Sequence, residues 1–325
     1  MTVLLRLRNF SVHFDTPRGQ LEAVREIDLD INAGESIGIV GESGSGKTVL
    51  SRAAMGLLTM STAHRQGTVE FDGEDLSAAS RTVVRDKWGT GMAMIFQDPM
   101  TALNPVRRIG SQISEGLRIR LGMSRADAKK RAVELLALVR IPDPEKALRK
   151  FPNQLSGGMR QRVMIAIALA CHPKLLFADE PTTALDVTVQ AQILELLSDL
   201  REQLNMSMVL VTHDLGVVAG HTDSIAVMYA GEIVEYATTK DLFANLHMPY
   251  TEALLKSIPR LDTPTGKRLP VIDGRLPDPT TREPGCSFAP RCPYVQSKCT
   301  AEHPELVDDG NGHLYRCFFP LGIGK

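Results

Sequence analysis

The sequence lacks the features that mark membrane-spanning, exported or nucleic-acid-binding proteins. No run of consecutive apolar residues approaches about 18, so no segment is predicted to span a bilayer. The N-terminal segment carries Arg6 and Arg8 and has no small-residue cleavage site, which is unlike a signal peptide. The 37 basic and 38 acidic residues nearly cancel, whereas a protein that neutralises nucleic-acid phosphates needs a surplus of Lys and Arg. We therefore expect a cytoplasmic protein that does not bind nucleic acid.

Cysteine and proline are scarce in most of the chain and concentrated near its C-terminal end. Four of the 5 Cys and 11 of the 19 Pro lie in residues 246–325. Because cytoplasmic thiols are usually reduced, clustered cysteines there are more typical of a metal site than of disulfides. A length of 325 residues suits about two domains. We therefore divide the chain into residues 1–245 and residues 246–325, the second of which is called the annex below.

Strand and helix patterns alternate along residues 1–245. Residues 3–14 and 22–31 alternate apolar and polar side chains on either side of a turn, Thr-Pro-Arg-Gly at residues 16–19. This pattern predicts an antiparallel β-subdomain at the N-terminus. Later, short apolar runs that suit buried strands alternate with helix patterns, which predicts a mostly parallel sheet with helices on both faces. Residues 106–149 have a helical pattern, with Ser124 as an N-cap. We predict an α/β fold with a helical subdomain at about residues 106–172.

A glycine-rich loop lies between a predicted strand and a predicted helix. Residues 41–48, Gly-Glu-Ser-Gly-Ser-Gly-Lys-Thr, match the phosphate-binding pattern G-x-x-x-x-G-K-[ST]. Backbone N–H groups of such a loop surround phosphates, and the following helix N-terminus adds partial positive charge. We predict that Lys47 binds the β- and γ-phosphates of a nucleotide and that Thr48 binds Mg²⁺. The other predicted phosphate contacts in the loop are Gly41, Ser43, Gly44, Ser45 and Gly46.

Two acidic residues follow an apolar run that suits a buried strand. Asp179 and Glu180 come directly after Leu-Leu-Phe-Ala at residues 175–178. Ligands of open α/β sheets bind at the carboxyl ends of the strands. Asp179 is therefore a candidate Mg²⁺ ligand, and Glu180 a candidate to polarise a water for in-line attack on the γ-phosphate. The structural alternative is an ordinary acidic pair at the end of a strand.

The segment Leu-Ser-Gly-Gly-Met at residues 155–159 resembles the signature sequence of ATP-binding-cassette (ABC) ATPases. Other motifs of that family follow in the expected order over about residues 3–250. Those motifs are an adenine-stacking aromatic residue, a Q-loop glutamine, a D-loop and a switch histidine, represented by Phe14, Gln97, Thr183-Ala184-Leu185-Asp186 and His213. The resemblance implies that residues 1–245, called the cassette below, are a P-loop ABC nucleotide-binding domain that hydrolyses ATP with Mg²⁺.

The resemblance also assigns roles to individual residues and implies partners. Glu180, His213, Gln97 and Lys47 are expected to be catalytic, and Gln97 is also expected near Mg²⁺. Nucleotide contacts are further expected from the signature and D-loop residues, namely Ser156, Gly157, Gly158 and Asp186. In this family the signature of one subunit closes over ATP held by another, so a second cassette subunit is implied. Two integral-membrane permease subunits, an extracytoplasmic solute-binding protein and a peripheral location on the cytoplasmic face of the plasma membrane are implied as well.

The annex resembles the C-terminal segment of the oligopeptide/dipeptide importer ATPases. Residues 247–251, His-Met-Pro-Tyr-Thr, resemble that branch's His-Pro-Tyr-Thr with Met248 inserted, and Ile-Pro-Arg-Leu follows at residues 258–261. Gly-Cys-Ser-Phe-Ala-Pro-Arg-Cys-Pro at residues 285–293 is also typical of the branch. This resemblance implies that the chain powers a bacterial importer of di- or oligopeptides. A nickel or other non-peptide importer of the same branch, and a soluble ABC ATPase acting on nucleic acid or ribosomes, are the alternatives.

Four cysteines of the annex have the spacing C-x₅-C-x₆-C-x₁₇-C. They are Cys286, Cys292, Cys299 and Cys317. The tight C-x₂₋₄-C pairs of common zinc modules are absent from this spacing, whereas iron–sulfur clusters take four thiolates. The resemblance implies a [4Fe–4S] cluster, and Zn²⁺ or unmetallated thiols are the alternatives. Because the annex has many prolines, few long helices and no large apolar complement, we expect a structural role for the metal.

Overall fold

The computed structural model describes residues 2–58, 60–183, 185–258, 272–281 and 284–322. Ala184 of the predicted D-loop and Pro259, Arg260 and Leu261 of the annex lie outside the described residues. Within the described residues, no helix is both long enough and apolar enough to cross a lipid bilayer.

The strands are numbered here in sequence order. They are β1 (Val3–Thr16), β2 (Gly19–Asn32), β3 (Ser36–Val40), β4 (Ala63–Phe71), β5 (Glu74–Asp75), β6 (Met92–Ile95), β7 (Leu175–Asp179), β8 (Ser207–Thr212), β9 (Ser224–Tyr229), β10 (Glu232–Thr238), β11 (Val307–Asp308) and β12 (Leu314–Tyr315). The central strands β3, β7, β8 and β9 are buried along their whole length, as expected for strands covered on both faces.

The helices are numbered in the same way. They are α1 (Lys47–Ala54), α2 (Arg81–Asp86), α3 (Pro99–Ala102), α4 (Ile109–Leu121), α5 (Arg125–Leu138), α6 (Pro144–Ala147), α7 (Gly157–Leu169), α8 (Val187–Leu204), α9 (Leu215–Ala219), α10 (Thr239–Ala244), α11 (Pro249–Ser257) and α12 (Ser297–Ala301). Short 3₁₀ turns at Pro152–Gln154 and Ala289–Arg291 precede α7 and α12.

The chain forms two compact units, and the first consists mainly of Ala79–Val209. Its strands have the order β8-β7-β6, with the first residues of β8 belonging to this unit, and β6 and β7 run parallel. Helices α4, α5 and α7 pack together through buried apolar side chains such as Ile113, Leu136 and Val163. Ser124 caps α5 by accepting the Asp127 N–H at 3.1 Å, as its sequence predicts. The helical pattern predicted for residues 106–149 is therefore confirmed.

The second unit contains Val3–Ile31, Ser36–Ala78 and Leu210–Lys325. A four-stranded sheet has the order β2-β1-β4-β5, and β1 pairs antiparallel with β4. The other sheet has the order β11-β12-β10-β9-β3-β8, the last residues of β8 belonging to this unit. In it β3 and β9 run parallel, while β10 pairs antiparallel with both β9 and β12.

This architecture confirms the predicted α/β fold with an antiparallel N-terminal sheet, a helical subdomain and a C-terminal annex. One helix is shorter than its pattern suggests. The helix pattern that begins at Lys47 continues to about Leu58, but α1 ends at Ala54, because Gly56 takes a left-handed φ of 69°. The annex adds β11 and β12 to the sheet edge at β10. The boundary between cassette and annex at residue 245 stays a prediction.

Candidate functional site

The glycine-rich loop joins the buried strand β3 to helix α1 in the second unit. Gly46 caps the helix with a φ of 102°, a conformation that residues with a Cβ atom rarely adopt. A Cβ atom at this position would also collide with the carbonyl oxygen of Ala23, and one at Gly41 with that of Met228. Both glycines are therefore required by the close approach of neighbouring backbone. The loop presents the N-terminus of α1 at its end, which suits an anionic group.

The Lys47 side chain folds back toward the glycine-rich loop that precedes helix α1. The side chain is buried, and its Nζ atom donates to the carbonyl oxygens of Gly41 at 2.7 Å and Glu42 at 2.8 Å. A third contact, of 3.3 Å, reaches the Ser45 hydroxyl. These contacts fix the ammonium group within the curve of the loop, where a phosphate would lie. Ser43 and Gly44 are exposed on the outer part of the loop.

Residues of the annex support the back of the loop. The Tyr250 hydroxyl accepts the Glu42 N–H at 2.9 Å, and the Tyr250 side chain is fully buried. Its ring packs on Tyr229 and Phe288, with ring centroids 4.6 Å and 5.3 Å away. Burial raises the pKa of the Tyr250 hydroxyl well above its usual range, so it stays protonated at neutral pH. Arg291 reaches the same loop residue and bonds both carboxylate oxygens of Glu42.

In the first unit, the ends of two parallel strands bring Gln97 and Glu180 together. Gln97 follows β6 and Glu180 follows β7, so both lie at the same edge of the sheet. The Gln97 Nε2 atom donates to Glu180 Oε2 at 2.9 Å, and the Thr183 hydroxyl donates to the same oxygen at 2.9 Å. Glu180 has a positive φ of 45°, which is uncommon for a residue with a side chain and occurs often at functional sites. Asp179, at the end of β7, is completely buried.

The signature segment forms the start of helix α7. The Ser156 hydroxyl accepts the Met159 N–H at 3.3 Å and so caps the helix, while the side chain remains exposed. A Cβ atom at Gly158 would lie 2.8 Å from Val189 Cγ1, so the first turn of α8 packs directly against this backbone. Asp186 caps α8 by accepting the Val189 N–H at 2.9 Å. The signature and the D-loop therefore share one packed surface.

Phe14 and His213 occupy separate places in the second unit. Phe14 is half-buried on β1, opposite Ala63 of β4. His213 is exposed directly after β8, before the N-cap Asp214 of helix α9. The position of His213 after a central strand agrees with the placement that the sequence predicts. The catalytic, nucleotide and Mg²⁺ roles assigned to these residues remain predictions.

The four annex cysteines line one pocket, called the Cys pocket below. Its other walls are mostly apolar and include Met248, Pro249, Phe288, Ala289, Tyr294, Pro304, Phe318 and Phe319. Burial raises the pKa of the Cys286 and Cys292 thiols and raises that of Cys317 to about 11. Backbone N–H groups of Phe288, Tyr294 and Phe319 bond to these three sulfurs and partly oppose the effect of burial. No three cysteine sulfurs lie within 4.8 Å of one another in the part of the chain that the structure describes.

Sequence patterns gave no signal for the contacts between the annex and the phosphate loop. Arg291 appeared only as part of a Cys-rich segment, and Tyr250 only as part of a resemblance to a family segment. Glu42 and Arg291 are 249 positions apart, so no local pattern connects them.

Comparisons with known proteins identify the family of the chain. Residues 24–183 match the family model described as ABC transporter, and residues 234–299 match the oligopeptide/dipeptide transporter C-terminal region. The chain is 47% identical to the oligopeptide transport ATP-binding protein AppD of Bacillus subtilis over 98% of this chain and 97% of that protein. It is 46% identical to the dipeptide transport ATP-binding protein DppD of Escherichia coli, over 98% and 97% of the two chains.

Solved structures of ATP-binding cassettes share the fold. A dimeric post-hydrolysis structure of the cassette MJ0796 with ADP and Pi has a TM-score of 0.65 and 28% identity, covering 73% of this chain and 99% of that one. CbiO1 of Clostridium perfringens, part of an ABC transporter complex, has a TM-score of 0.64 and 27% identity, covering 75% and 92%. The chain belongs to the ABC ATPases, in the family of oligopeptide/dipeptide transporter ATP-binding subunits.

Proposed function

We propose that this chain is an ATP-hydrolysing subunit of a bacterial importer for dipeptides or oligopeptides. The observation that carries the proposal is the annex. Its match to the oligopeptide/dipeptide transporter C-terminal region accompanies an ABC region in the same chain. Relatives named for oligopeptide and dipeptide transport align along almost the whole chain. The energy of ATP hydrolysis would drive a conformational change in separate membrane subunits.

The roles proposed in ATP hydrolysis follow the chemistry of each residue. Lys47 would neutralise the β- and γ-phosphates, and the N-terminus of α1 would bind them through backbone N–H groups. The Thr48 hydroxyl and the Asp179 carboxylate offer the hard oxygen ligands that Mg²⁺ prefers. Glu180 would hold and polarise the attacking water. The bond from Gln97 to Glu180 supports this role, because it fixes the direction of the carboxylate.

A second cassette subunit is part of the proposal. Ser156, Gly157 and Asp186 are exposed, and Val187 beside them is 81% exposed although it is apolar. An apolar side chain beside exposed polar groups suits a surface that another protein covers. The related MJ0796 cassette is described as dimeric. We propose that these residues close over ATP bound to the partner, which is either a copy or a paralogue.

The surface after Gln97 is proposed to bind the permease subunits. Met100 and Val106 are 60% and 80% exposed, and both are apolar. Apolar side chains concentrated on one exposed segment favour a protein contact over a solvated loop. Such a contact would hold the subunit at the cytoplasmic face of the membrane, with an extracytoplasmic binding protein delivering the solute to the permeases.

We propose a [4Fe–4S] cluster in the Cys pocket, with Zn²⁺ as the alternative. Buried thiols need a cation to become thiolates, because burial opposes their ionisation. A tetrahedral zinc ion would bring sulfurs to about 3.8 Å from one another, given Zn–S bonds of about 2.3 Å. In a four-iron cluster each thiolate binds its own iron, so a wider set of sulfurs suits it better. The backbone N–H groups at Phe288, Tyr294 and Phe319 also fit, since hydrogen bonds to sulfur are typical of these clusters. The cluster would hold the annex together.

Anaerobic purification tests the cluster. We expect a brown protein with about four irons per chain and a loss of iron in Cys299→Ser. Cys171→Ser is the matched control, because Cys171 is a buried thiol outside the Cys pocket. Colourless protein with one sulfur-bound zinc per chain would show instead that the Cys pocket binds Zn²⁺.

Solute uptake tests the transport function. In the source bacterium, deletion of this gene should abolish uptake of a radiolabelled dipeptide or oligopeptide, and the wild-type gene should restore it. Complementation with Lys47→Ala should not restore uptake. Unchanged peptide uptake together with a loss of nickel uptake would assign the chain to a non-peptide importer instead.

A further inference from the structure

Two buried histidines and a partly exposed aspartate lie together in the annex and are called the His–Asp group below. Its members are His247, Asp309 and His313. One potential ligand atom from each lies within 4.8 Å of the others. His247 and His313 are each 4% exposed, and the Asp309 side chain is 17% exposed. None of the three lines the Cys pocket, so the group is a separate feature of the annex.

The C-terminal hairpin brings these side chains together. Asp309 and His313 flank the tight turn between β11 and β12, and the Asp309 N–H donates to the His313 carbonyl oxygen at 3.1 Å. Gly310 and Gly312 supply the left-handed backbone that the turn requires, with φ of 94° and 84°. Because β12 pairs with β10, the turn lies beside Glu235 of β10. His247 enters from the segment just before α11.

Both imidazole rings are held through one nitrogen and leave the other nitrogen for a ligand. His247 Nδ1 lies 3.0 Å from the Leu321 carbonyl oxygen, which can only accept, so Nδ1 carries the proton. His247 Nε2 is buried, has no hydrogen-bond partner among the described residues and lies 3.5 Å from Asp309 Oδ2. His313 Nε2 donates to Glu235 Oε1 at 2.8 Å, which leaves Nδ1 as an acceptor. Metal-binding histidines have this arrangement, with the second ring nitrogen bonded to a carbonyl or carboxylate.

The acidic side chains of the group suit a cation. Glu235 is completely buried, and its Oε2 atom has no hydrogen-bond partner among the described residues. The backbone N–H groups of Asn311 and His313 both donate to Asp309 Oδ1, while Asp309 Oδ2 faces His247 Nε2 at 3.5 Å. The rings of His247 and His313 stack with centroids 4.1 Å apart. A divalent cation bound by the two imidazoles and Asp309 would be balanced by the carboxylates of Asp309 and Glu235.

We propose that His247, Asp309 and His313 bind one divalent transition-metal ion of the zinc type. Two imidazoles and a carboxylate are a common ligand set for Zn²⁺, and imidazole ligands disfavour Mg²⁺ and Ca²⁺. Glu235 acts as a positioning residue that fixes the ring of His313. The ion joins the C-terminal hairpin to the segment that leads into α11. This proposal does not depend on the transported solute or on the metal of the Cys pocket.

Zinc binding by the full-length chain tests the site. The protein is purified anaerobically, dialysed against EDTA and titrated with ZnCl₂, and bound zinc is measured by elemental analysis and zinc K-edge absorption. We expect a zinc ion with nitrogen and oxygen ligands at about 2.0–2.2 Å, whether or not a second zinc occupies the Cys pocket. Zinc in the Cys pocket would instead show sulfur at about 2.3 Å.

Two variants and one control make the test specific. Asp309→Asn removes the charged ligand but keeps an oxygen for the N–H groups of Asn311 and His313, and its zinc affinity should fall at least about 100-fold. Glu235→Gln should lower the affinity by about 10–100-fold, as other positioning residues do. His172→Asn is the control, because His172 is exposed and has a φ of 54° that Asn tolerates. Its affinity should equal that of the wild type.

Each result of the zinc-binding experiment either supports or rejects the site. Equal zinc affinity in the wild type and Asp309→Asn would overturn the proposal, as would a zinc shell that contains only sulfur. If Asp309→Asn does not fold, the wild type decides alone. A nitrogen–oxygen shell together with a higher melting temperature in the presence of zinc supports the site, and an unchanged melting temperature without such a shell rejects it.

Discussion

Arg291 of the annex holds Glu42 of the phosphate loop through two parallel hydrogen bonds, 2.6 Å from Nη1 and 2.9 Å from Nη2. The Arg291 side chain is 3% exposed and the Glu42 side chain 28%, so water competes little for either group. Such a two-pronged pair is both strong and directional. Arg291 also precedes Cys292, one of the cysteines that line the Cys pocket. Glu42 of the phosphate loop is therefore bonded to the residue directly before a cysteine of the Cys pocket.

We predict that Arg291→Ala weakens both folding and nucleotide binding. Removing one partner of a largely buried ion pair leaves the other charge uncompensated, which should lower the free energy of unfolding by about 3 kcal/mol. The loop should lose its fixed position, so the Kd for ATP should rise. Arg275→Ala is the matched control, because Arg275 is exposed in the same part of the annex. Denaturant titration and fluorescent-nucleotide binding check the two effects, and an unchanged ATP affinity would show that the pair is only structural.

Glu180→Gln should keep ATP binding and lose hydrolysis. The amide oxygen of Gln can still accept the bond from Gln97, so the local geometry should survive. The lost carboxylate can no longer polarise water, and the turnover number should fall about 100-fold or more. Glu195→Gln, on the exposed face of α8, is the control. Wild-type turnover in Glu180→Gln would contradict the assignment of the general base.

Gly46→Ala should abolish nucleotide binding through two separate effects. The backbone at φ 102° costs about 1–3 kcal/mol for a residue with a side chain, and the new methyl group would collide with the Ala23 carbonyl oxygen. Gly19→Ala provides the comparison, because Gly19 has a φ of 117° and no atom within 4 Å of the added methyl group. Gly19→Ala should therefore show the cost of strain alone and bind ATP normally. Equal losses of stability in the two variants would mean that the collision does not matter.

Ser156→Ala should keep ATP binding by a single subunit and weaken the ATP-dependent pairing of subunits. Loss of the helix cap should cost about 1 kcal/mol of stability, and loss of the exposed hydroxyl should weaken ATP-dependent pairing of cassettes. Ser124→Ala removes an equivalent cap from α5 and is the matched control. Light scattering with ATP on a Glu180→Gln background measures pairing. If both serine variants pair equally well, the signature hydroxyl does not contact nucleotide.

The cassette was largely predictable because its signals are local. The alternation of β1 and β2, the cap at Ser124 and the loop before α1 each depend on residues within one turn or one strand. The annex elements were not predicted, because their partners are distant in sequence. Strand β12 has two residues and exists through pairing with β10, where Leu314 lies opposite Tyr236. The intrinsic strand propensity of two residues is too small to predict a strand that depends on such a long-range contact.

The residues of the site also divide into those that local motifs predict and those that only long-range contacts bring together. Gln97, Asp179 and Glu180 were identified from motifs, and the direct bond between Gln97 and Glu180 follows from neighbouring parallel strands. Arg291 and His313 carry no motif, and a single arginine or histidine in a sequence is most often a surface or structural residue. Their partners are found only when the chain folds back over more than 70 positions.

The hydroxyl of Tyr250 lies beyond the predicted end of the cassette, yet it accepts a hydrogen bond from the first non-glycine residue of the phosphate loop. A chimera that exchanges cassettes between relatives at residue 245 would therefore pair each loop with a foreign support. Working hybrids should need a junction that transfers the loop together with its own tyrosine and arginine. A short engineered version ending at residue 245 should likewise expose the apolar surface that Tyr250 and Phe288 now cover.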